Sequence, residues 1–248
     1  MKIDVIMITK NSQKPCLVES INSIVNNIPL NKLIVVDNFS IDETINIINR
    51  YNNISTKVIQ KNCNRGMARE IGIKKVETDW FAFIDSDIIL EKDWFKLIAK
   101  NISKKIGAIE GNVKSKEGIV QKIRINGRGY TNCTLIKTDL VKDIKIPEEM
   151  VVYEDQYIRK YIEKKDYKWL KVALPCSLHL SKSNRLNDAF EIGKMSGKYH
   201  LDPFWRYPSS FLIVLIKRIF GGKESPLISY RLLTGYLKGL FLNLNNSR

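Results

Sequence analysis

Trp80-Phe81-Ala82-Phe83-Ile84-Asp85-Ser86-Asp87 is the stretch on which the fold turns. Five apolar residues in a row read as a strand buried on both faces, and the run stops abruptly on two carboxylates. Upstream the same shape recurs. Ile3-Asp4-Val5-Ile6-Met7-Ile8-Thr9 is largely apolar and ends on Lys10-Asn11-Ser12. Leu33-Ile34-Val35-Val36 ends on Asp37-Asn38-Phe39-Ser40, and Lys57-Val58-Ile59 is a shorter run. Between these strands, Leu17, Ile21, Ile24 and Val25 share one face of a helix over 17–25. Ile41, Ile45 and Ile48 mark a second over 41–51, capped by Ser40 or Asp42, and Met67–Val76 reads as a third. Such β-α alternation predicts a parallel sheet with helices on both faces and a ligand site beyond the carboxyl ends of the strands. The clusters at Thr9–Asn11, Asp37–Ser40 and Asp85–Asp87, far apart in sequence, would be gathered at that edge.

Further along, Ile106–Val113 and Val120–Ile125 read as strands and Thr134–Ile144 as a strand passing into a helix. Asp155–Glu163 reads as a helix and Trp169–Leu174 as a last strand. There is no internal repeat and no low-complexity linker. The 248 residues, 44% of them hydrophobic, can form a sizeable core, which excludes a disordered, collagen-like or disulfide-scaffold chain. Net charge is +15, and the last 68 residues hold 11 basic and 4 acidic side chains, so the tail carries nearly half the excess. That surplus suits a polyanion: nucleic acid, anionic lipid or a phosphorylated substrate. Cys16, Cys63, Cys133 and Cys176 lack metal-site spacing and read as reduced thiols, and the opening apolar run is too short for a signal peptide. A cytosolic location is expected.

Asp85 and Asp87 leave a low-dielectric strand side by side, and two such anions repel unless a cation or protons neutralise them. A hard divalent ion, Mg²⁺ or Mn²⁺, with substrate phosphate oxygens would do so; a solvated turn with two capping aspartates fits the same three residues. Asp37 at a strand end could accept from a base or ribose, or simply cap a loop. Asn64-Arg65-Gly66-Met67-Ala68-Arg69 opens a helix whose free N–H groups favour phosphate, with Arg69 to pair with it, or is an ordinary basic helix start. Glu154-Asp155 begins a helix, where acids often only offset the dipole, but one could be a general base for an acceptor hydroxyl. His179 is a structural histidine or a further metal ligand, and His200, without comparable neighbours, reads as structural.

Together these pieces resemble glycosyltransferase family 2, the inverting GT-A nucleotide-sugar transferases. The family's strand-Pro-Thr-Tyr-Asn opening is matched by Ile8-Thr9-Lys10-Asn11. Its Val-Val-Asp-Asp/Asn-x-Ser-x-Asp-x-Thr is matched by Val35-Val36-Asp37-Asn38-Phe39-Ser40-Ile41-Asp42-Glu43-Thr44. Asn64–Ile73 resembles Asn-x-Gly-x-x-x-Ala-Arg-Asn-x-Gly-Ile with a shorter spacing, and Phe83–Asp87 resembles the metal-binding Asp-x-Asp. Glu154-Asp155 resembles the acceptor-side Glu-Asp, with Tyr167-Lys168-Trp169 where Gly-Tyr-Lys is frequent. Departures are Ile8 for Pro, Lys10 for Tyr, Phe39 for Gly and Glu70 for Asn.

The resemblance covers roughly residues 1–180 and implies a GT-A fold: a Rossmann-like mixed, mainly parallel sheet flanked by helices. Residues 1–100 would form the nucleotide-sugar half and 101–180 the acceptor half, with 181–248 a helical, basic, amphipathic extension. It implies Thr9, Asn11, Asp37, Asn64, Gly66, Arg69, Asp85 and Ser86 at the donor. Asp87, Asp85 and His179 would hold Mn²⁺ or Mg²⁺. Asp155 would be the catalytic base, and Glu154 with Tyr130, Thr131 and Asn132 would meet the acceptor, a glycan or lipid-linked precursor.

In the tail, Phe204-Trp205-Arg206-Tyr207-Pro208 leads into Phe211–Ile216 and then Lys217-Arg218-Ile219-Phe220-Gly221-Gly222. The apolar run is far below the roughly 20 residues that span a bilayer. Leu233, Tyr236, Leu237, Leu240, Phe241 and Leu244 form a stripe. An interfacial helix pair would place the protein peripherally at the cytoplasmic face of an anionic membrane; a hairpin covering the domain's own core accounts for the same pattern. Among rivals, a nucleotidyltransferase lacks its early Gly-rich loop in residues 1–20. A basic nucleic-acid-binding protein would explain the charge, but no RNA-binding or zinc-finger signature accompanies it, so no nucleic-acid partner is expected. A non-catalytic nucleotide-sugar binder would not need Asp85, Asp87 and Asp155 all present.

Overall fold

The computed structural model describes residues 1–123, 127–180, 185–219 and 225–246. β1 (Ile3–Thr9), α1 (Leu17–Asn27), β2 (Leu30–Asp37), α2 (Thr44–Asn49), β3 (Thr56–Gln60), α3 (Arg65–Lys74) and β4 (Trp80–Ile84) follow in the expected alternation. β1 pairs in parallel with β2 and β4, and β2 with β3. All four strands therefore end on one edge, with Asp37 directly opposite Thr9 on one side and Gln60 on the other.

Strand alternation assigns the faces. Ile3, Val5 and Met7 cluster with Leu17, Ile21 and Ile24 of α1 and Ile47 and Ile48 of α2. Ile8 and Val36 instead pack with Met67, Ala68 and Ile71 of α3. Such a side chain contributes roughly 1.5–3 kcal/mol where it is fully buried, and less at the partly buried Ile8, Met67 and Ile71. α3 can approach the sheet because residue 72 is glycine: a Cβ there would lie 2.6 Å from Cγ2 of Ile6.

Beyond β4 come β5 (Ile88–Ile89), α4 (Trp94–Ala99), β6 (Ile106–Lys114), β7 (Cys133–Lys137), α5 (Thr138–Val141), α6 (Glu154–Lys164) and β8 (Lys168–His179). β7 runs antiparallel between β4 and β6, β8 is parallel to β6, and β5 is antiparallel to β8. The strand order is β3-β2-β1-β4-β7-β6-β8-β5: a mixed, mainly parallel sheet flanked by helices.

Several local expectations are corrected. The helix expected from Ile41 starts at Thr44, and Ile41 is 91% exposed. The Asp42 carboxylate accepts the N–H groups of Thr44 and Gln13, which holds this segment as a turn. The strand expected to end at Leu174 continues to His179, because β8 shifts register against β6 and resumes with Asn112 opposite Cys176. No strand forms at Val120, which makes only an isolated bridge to Lys114; Ile119, Val120 and Ile123 are exposed, so no partner covers them. The end of that expected strand, at 124–126, lies outside the described residues. Neither the two-residue β5 nor the six-residue α4 has a sequence period long enough to read.

Contacts divide the chain into two compact units, Met1–Glu148 with Asp155–Ser181, and Glu149–Glu154 with Lys182–Arg248. The second contains α7 (Arg185–Tyr199), α8 (Arg206–Ile219) and α9 (Leu227–Asn246), one helix more than the expected pair. α7 and α9 meet through glycines. A Cβ on Gly193, Gly197, Gly235 or Gly239 would fall 2.1, 2.2, 2.0 or 2.1 Å from a backbone oxygen of the opposite helix, the small-residue spacing that lets two backbones touch. The Asp202 carboxylate accepts from the hydroxyls of Tyr153, Ser196 and Tyr207 at 2.7, 2.8 and 2.6 Å and pairs with Arg206.

The stripe expected along 233–244 is split by this packing. Tyr236 is buried against Tyr207, whereas Leu237, Phe241 and Leu244 are exposed, because Gly235 and Gly239 set the contact face. His200 bonds to Asn243. Residues 220–222 of the basic run lie outside the described residues. Among the described residues no helix is long and apolar enough to cross a membrane.

Candidate active site

At the shared edge of the parallel strands, Asp37 is fully buried and its carboxylate ties three strand ends together. Oδ1 accepts from the hydroxyls of Thr9, at 2.8 Å, and Ser40; Oδ2 accepts from the Ser40 N–H at 2.8 Å and from Gln60 Nε2 at 3.3 Å. The loop after β1 is laced to the loop after β2 in the same way. Asn11, at φ 50°, donates its N–H to Ser40 Oγ and accepts the Ile41 N–H on its side-chain oxygen. Ser12 N–H bonds to Thr44 Oγ1 at 2.7 Å. Phe39, also left-handed at φ 47°, is left exposed by this lacing.

Asn64 caps α3 by accepting the Met67 N–H at 2.9 Å. Gly66 in the first turn is buried. Arg69, one turn further, is 4% exposed; it lies over the Phe83 ring at 4.9 Å and reaches Asp85 Oδ1 at 3.3 Å. The turn at Asp85–Asp87 is held from α1, whose Ser20 Oγ donates to the Asp85 carbonyl and whose preceding residue Cys16 directs its thiol to the Ser86 carbonyl. Burial, then the Asp87 and Glu19 charges, push the Cys16 thiol up to about 11. It is therefore neutral at physiological pH.

β5 puts Ile88 opposite His179, so the end of β8 is brought beside the carboxylate turn. His179 Nε2 lies 3.3 Å from Asp87 Oδ2. That hydrogen bond raises the imidazole pKa above its ordinary value against an opposing effect of burial, with the Asp87 and Asp85 charges also favouring the protonated form. Two ligands bound at about 2.1 Å on adjacent octahedral positions are about 3 Å apart, so the Asp87–His179 spacing fits a shared Mn²⁺ or Mg²⁺. Among the described residues no three Asp, Glu, His or Cys side chains are grouped so that they could hold a metal ion together. Asp85 is turned instead to Arg69.

On the other side of the turn, the Asp85 N–H bonds to the Asn132 carbonyl at 3.0 Å. Asn132 ends a segment that starts at Arg128, whose guanidinium grips Asp155: Nε is 3.2 Å and Nη2 3.0 Å from each carboxylate oxygen. Those four residue steps, at most about 14 Å of chain, tie the Asp85 turn to the Arg128–Asp155 pair. Tyr130 N–H and Trp169 Nε1 bond to Glu110 Oε2, and Lys171 lies 3.1 Å from Oε1. Burial pushes the Glu110 carboxyl up and the Lys171 ammonium down, each opposed by the other. Thr131 is buried, with no hydrogen-bond partner for Oγ1 among the described residues. Glu154 is buried at the start of α6 and belongs to the second compact unit.

Thr9, Asn11, Asp37, Asn64, Gly66, Arg69, Asp85, Ser86, Asp87, Tyr130, Thr131, Asn132, Asp155 and His179 thus all lie in the first unit, on strand ends, helix starts and their loops. Sequence reasoning missed Arg128, Glu110, Lys171 and Gln60, and read Ser40 as a cap in the edge cluster without its tie to Asp37. Glu110 had a signal, a lone carboxylate inside an apolar run; Arg128 had only its position beside the acceptor loop.

A mixed, mainly parallel sheet of this strand order, flanked by helices, is the GT-A architecture of the glycosyltransferases. The profile of "Glycosyl transferase family 2" matches residues 4–164, and the chain belongs to that family. Poly(ribitol-phosphate) beta-N-acetylglucosaminyltransferase TarS of Staphylococcus aureus (strain MW2) is 30% identical over 180 residues, covering 63% of this chain and 31% of TarS. The match therefore spans about a third of the length of this curated relative.

Among solved structures, S. aureus TarS 1-349 in complex with UDP-GlcNAc superposes with TM-score 0.65 at 20% identity, over 98% of this chain and 73% of that one. A mannosyltransferase from Pyrobaculum calidifontis in complex with GDP-Man and Mn²⁺ gives TM-score 0.70 at 14% identity, over 97% and 88%. These likenesses establish the fold.

Proposed function

We propose that the chain is an inverting transferase that moves a sugar from a nucleoside-diphosphate sugar to an acceptor hydroxyl. What supports this reading is the acidic turn after β4, where Arg69 pairs with Asp85 and His179 with Asp87, linked through the Asp85–Asn132 backbone bond to the segment that carries Arg128 to Asp155. Asp155 takes the proton of the acceptor hydroxyl as its oxygen attacks the anomeric carbon. The bond to the diphosphate breaks on the opposite face, which inverts the centre, and Arg69 meets the departing charge. Asp87 and His179 would hold a divalent ion, which would supply Lewis-acid stabilisation of the diphosphate, while Asp85 beside them stays paired with Arg69. Thr9 and Asp37 act at the nucleotide by positioning the loops after β1 and β2, and Asn11, Asn64, Gly66 and Ser86 complete the donor side. Tyr130, Thr131 and Asn132 serve the acceptor.

Related enzymes solved with UDP-GlcNAc and with GDP-Man and Mn²⁺ support a nucleotide-sugar donor and a divalent metal. The acceptor is a glycan or lipid-linked precursor. The exposed Leu237, Phe241 and Leu244, together with Leu212, Ile213 and Ile216 on a basic extension, support peripheral attachment to an anionic membrane on its cytoplasmic face. The test is thermal-shift screening against UDP-, GDP- and dTDP-sugars with and without Mn²⁺. One donor should stabilise the protein only with the metal, and Asp87→Ala should abolish that shift. No shift with any donor would reject the reading.

A further inference from the structure

Asp155 is in no position to act as a base while Arg128 holds it. Both carboxylate oxygens lie within 3.2 Å of the guanidinium, and Oδ1 also accepts the Gln156 N–H at 2.7 Å. A base needs a lone pair aimed at the proton it removes, and here the arginine fork covers that edge. The two partners differ in access: the Arg128 side chain is 24% exposed and that of Asp155 is 9%. A ligand arriving from solution therefore meets the cation before the carboxylate.

The surroundings select what that ligand can be. Arg128 and Lys171 both lie over the Tyr130 ring, at 5.2 and 5.1 Å, and Lys171 also donates to the Arg128 carbonyl. Lys171 faces Glu110, and Arg128 faces Asp155. A neutral hydroxyl competes poorly with a carboxylate for a guanidinium, since charge-assisted hydrogen bonds are roughly twice as strong as neutral ones. A phosphate offers the same bidentate geometry as the carboxylate it would displace.

We propose that Arg128 determines acceptor specificity: it passes from Asp155 to a phosphate ester carried beside the accepting hydroxyl, holding the acceptor and freeing the base in one exchange. The proton then moves from the acceptor hydroxyl to Asp155. The acceptor oxygen bonds to the anomeric carbon, and the diphosphate leaves with the electron pair. An acceptor without the anion leaves the base clamped. The inference rests on the reading of Asp155 as the base.

The test is an NMR titration of the UDP-loaded protein with glycerol 3-phosphate and with glycerol, on wild type, Asp155→Asn, Arg128→Ala and Arg128→Lys. Competition predicts that Asp155→Asn binds glycerol 3-phosphate about three- to tenfold tighter, that Arg128→Ala binds it at least about tenfold more weakly, and that Arg128→Lys falls between. Glycerol should not distinguish the variants. A purely structural ion pair would leave the phosphate preference unchanged in Asp155→Asn and in Arg128→Lys, and either result overturns the proposal even if Arg128→Ala fails to fold. Phosphatidylglycerol vesicles form a second arm: the same order of variants there assigns the phosphate to a lipid headgroup, and its absence with both probes overturns the idea. Sugar transfer surviving in Asp155→Asn would instead defeat the base assignment, which the titration does not depend on.

Discussion

Asp37 separates a residue that touches nucleotide from one that builds the site around it. Its buried carboxylate receives two hydroxyls, one backbone N–H and one amide. In Asp37→Asn, the amide oxygen can still accept from Ser40 N–H and Gln60, while the NH₂ group faces the Thr9 and Ser40 hydroxyl oxygens, which can turn to accept. Only charge assistance is lost, about 1–2 kcal/mol. In Asp37→Ala the Ser40 N–H and the Gln60 amide lose their acceptor together, about 3–5 kcal/mol. At about 2–4 °C per kcal/mol for a chain of this size, Asp37→Asn should melt about 2–8 °C lower and Asp37→Ala more than about 6 °C lower. Thermal melts by circular dichroism without nucleotide read this, and titration of Asp37→Asn with the nucleotide that the donor screen identifies should stay within about threefold of wild type. An Asp37→Ala protein melting within about 2 °C of wild type would refute the pinning role. A loss of nucleotide affinity of about tenfold or more in Asp37→Asn, at unchanged stability, would refute action through the loop.

Other consequences are equally direct. Gly197→Ala forces a Cβ to 2.2 Å from the Tyr236 carbonyl oxygen, so α7 and α9 must separate; overpacking of this kind costs about 1–3 kcal/mol or more, read by urea melts. Phe241→Glu with Leu244→Glu alters two exposed side chains; it should leave the melting temperature nearly unchanged and abolish sedimentation with anionic vesicles, and retained binding would remove α9 from the membrane contact. Glu163 is nudged up by burial but held below its ordinary pKa by Lys160 and Arg159. A lowered carboxyl stabilises the fold above its unfolded pKa and loses that effect as pH falls through the folded one. Glu163→Gln should therefore cost about 0.5 kcal/mol at pH 7 and progressively less as the pH falls through the lowered carboxyl pKa, by paired melts.

The parallel half of the sheet was legible because its strands, five to eight residues long, are built around apolar runs that stop on polar residues, and its helices repeat with a helical period. The second half was harder for stated physical reasons. β8 passes through Pro175 and a register shift, so its apolar signal fades before His179 arrives opposite Ile88. β5 is too short for a period, yet it brings His179 to Asp87. Arg128 pairs with a residue 27 positions away, a contact that no local pattern encodes. The tail's glycines were visible at spacing four, but their role appears only when two helices meet.

The most direct test of the central claim is single-turnover transfer by Asp155→Asn, with donor affinity measured on the same protein. The account predicts transfer lowered by about 10²-fold or more, with nucleotide-sugar affinity kept within about threefold. Wild-type turnover in that variant would contradict it.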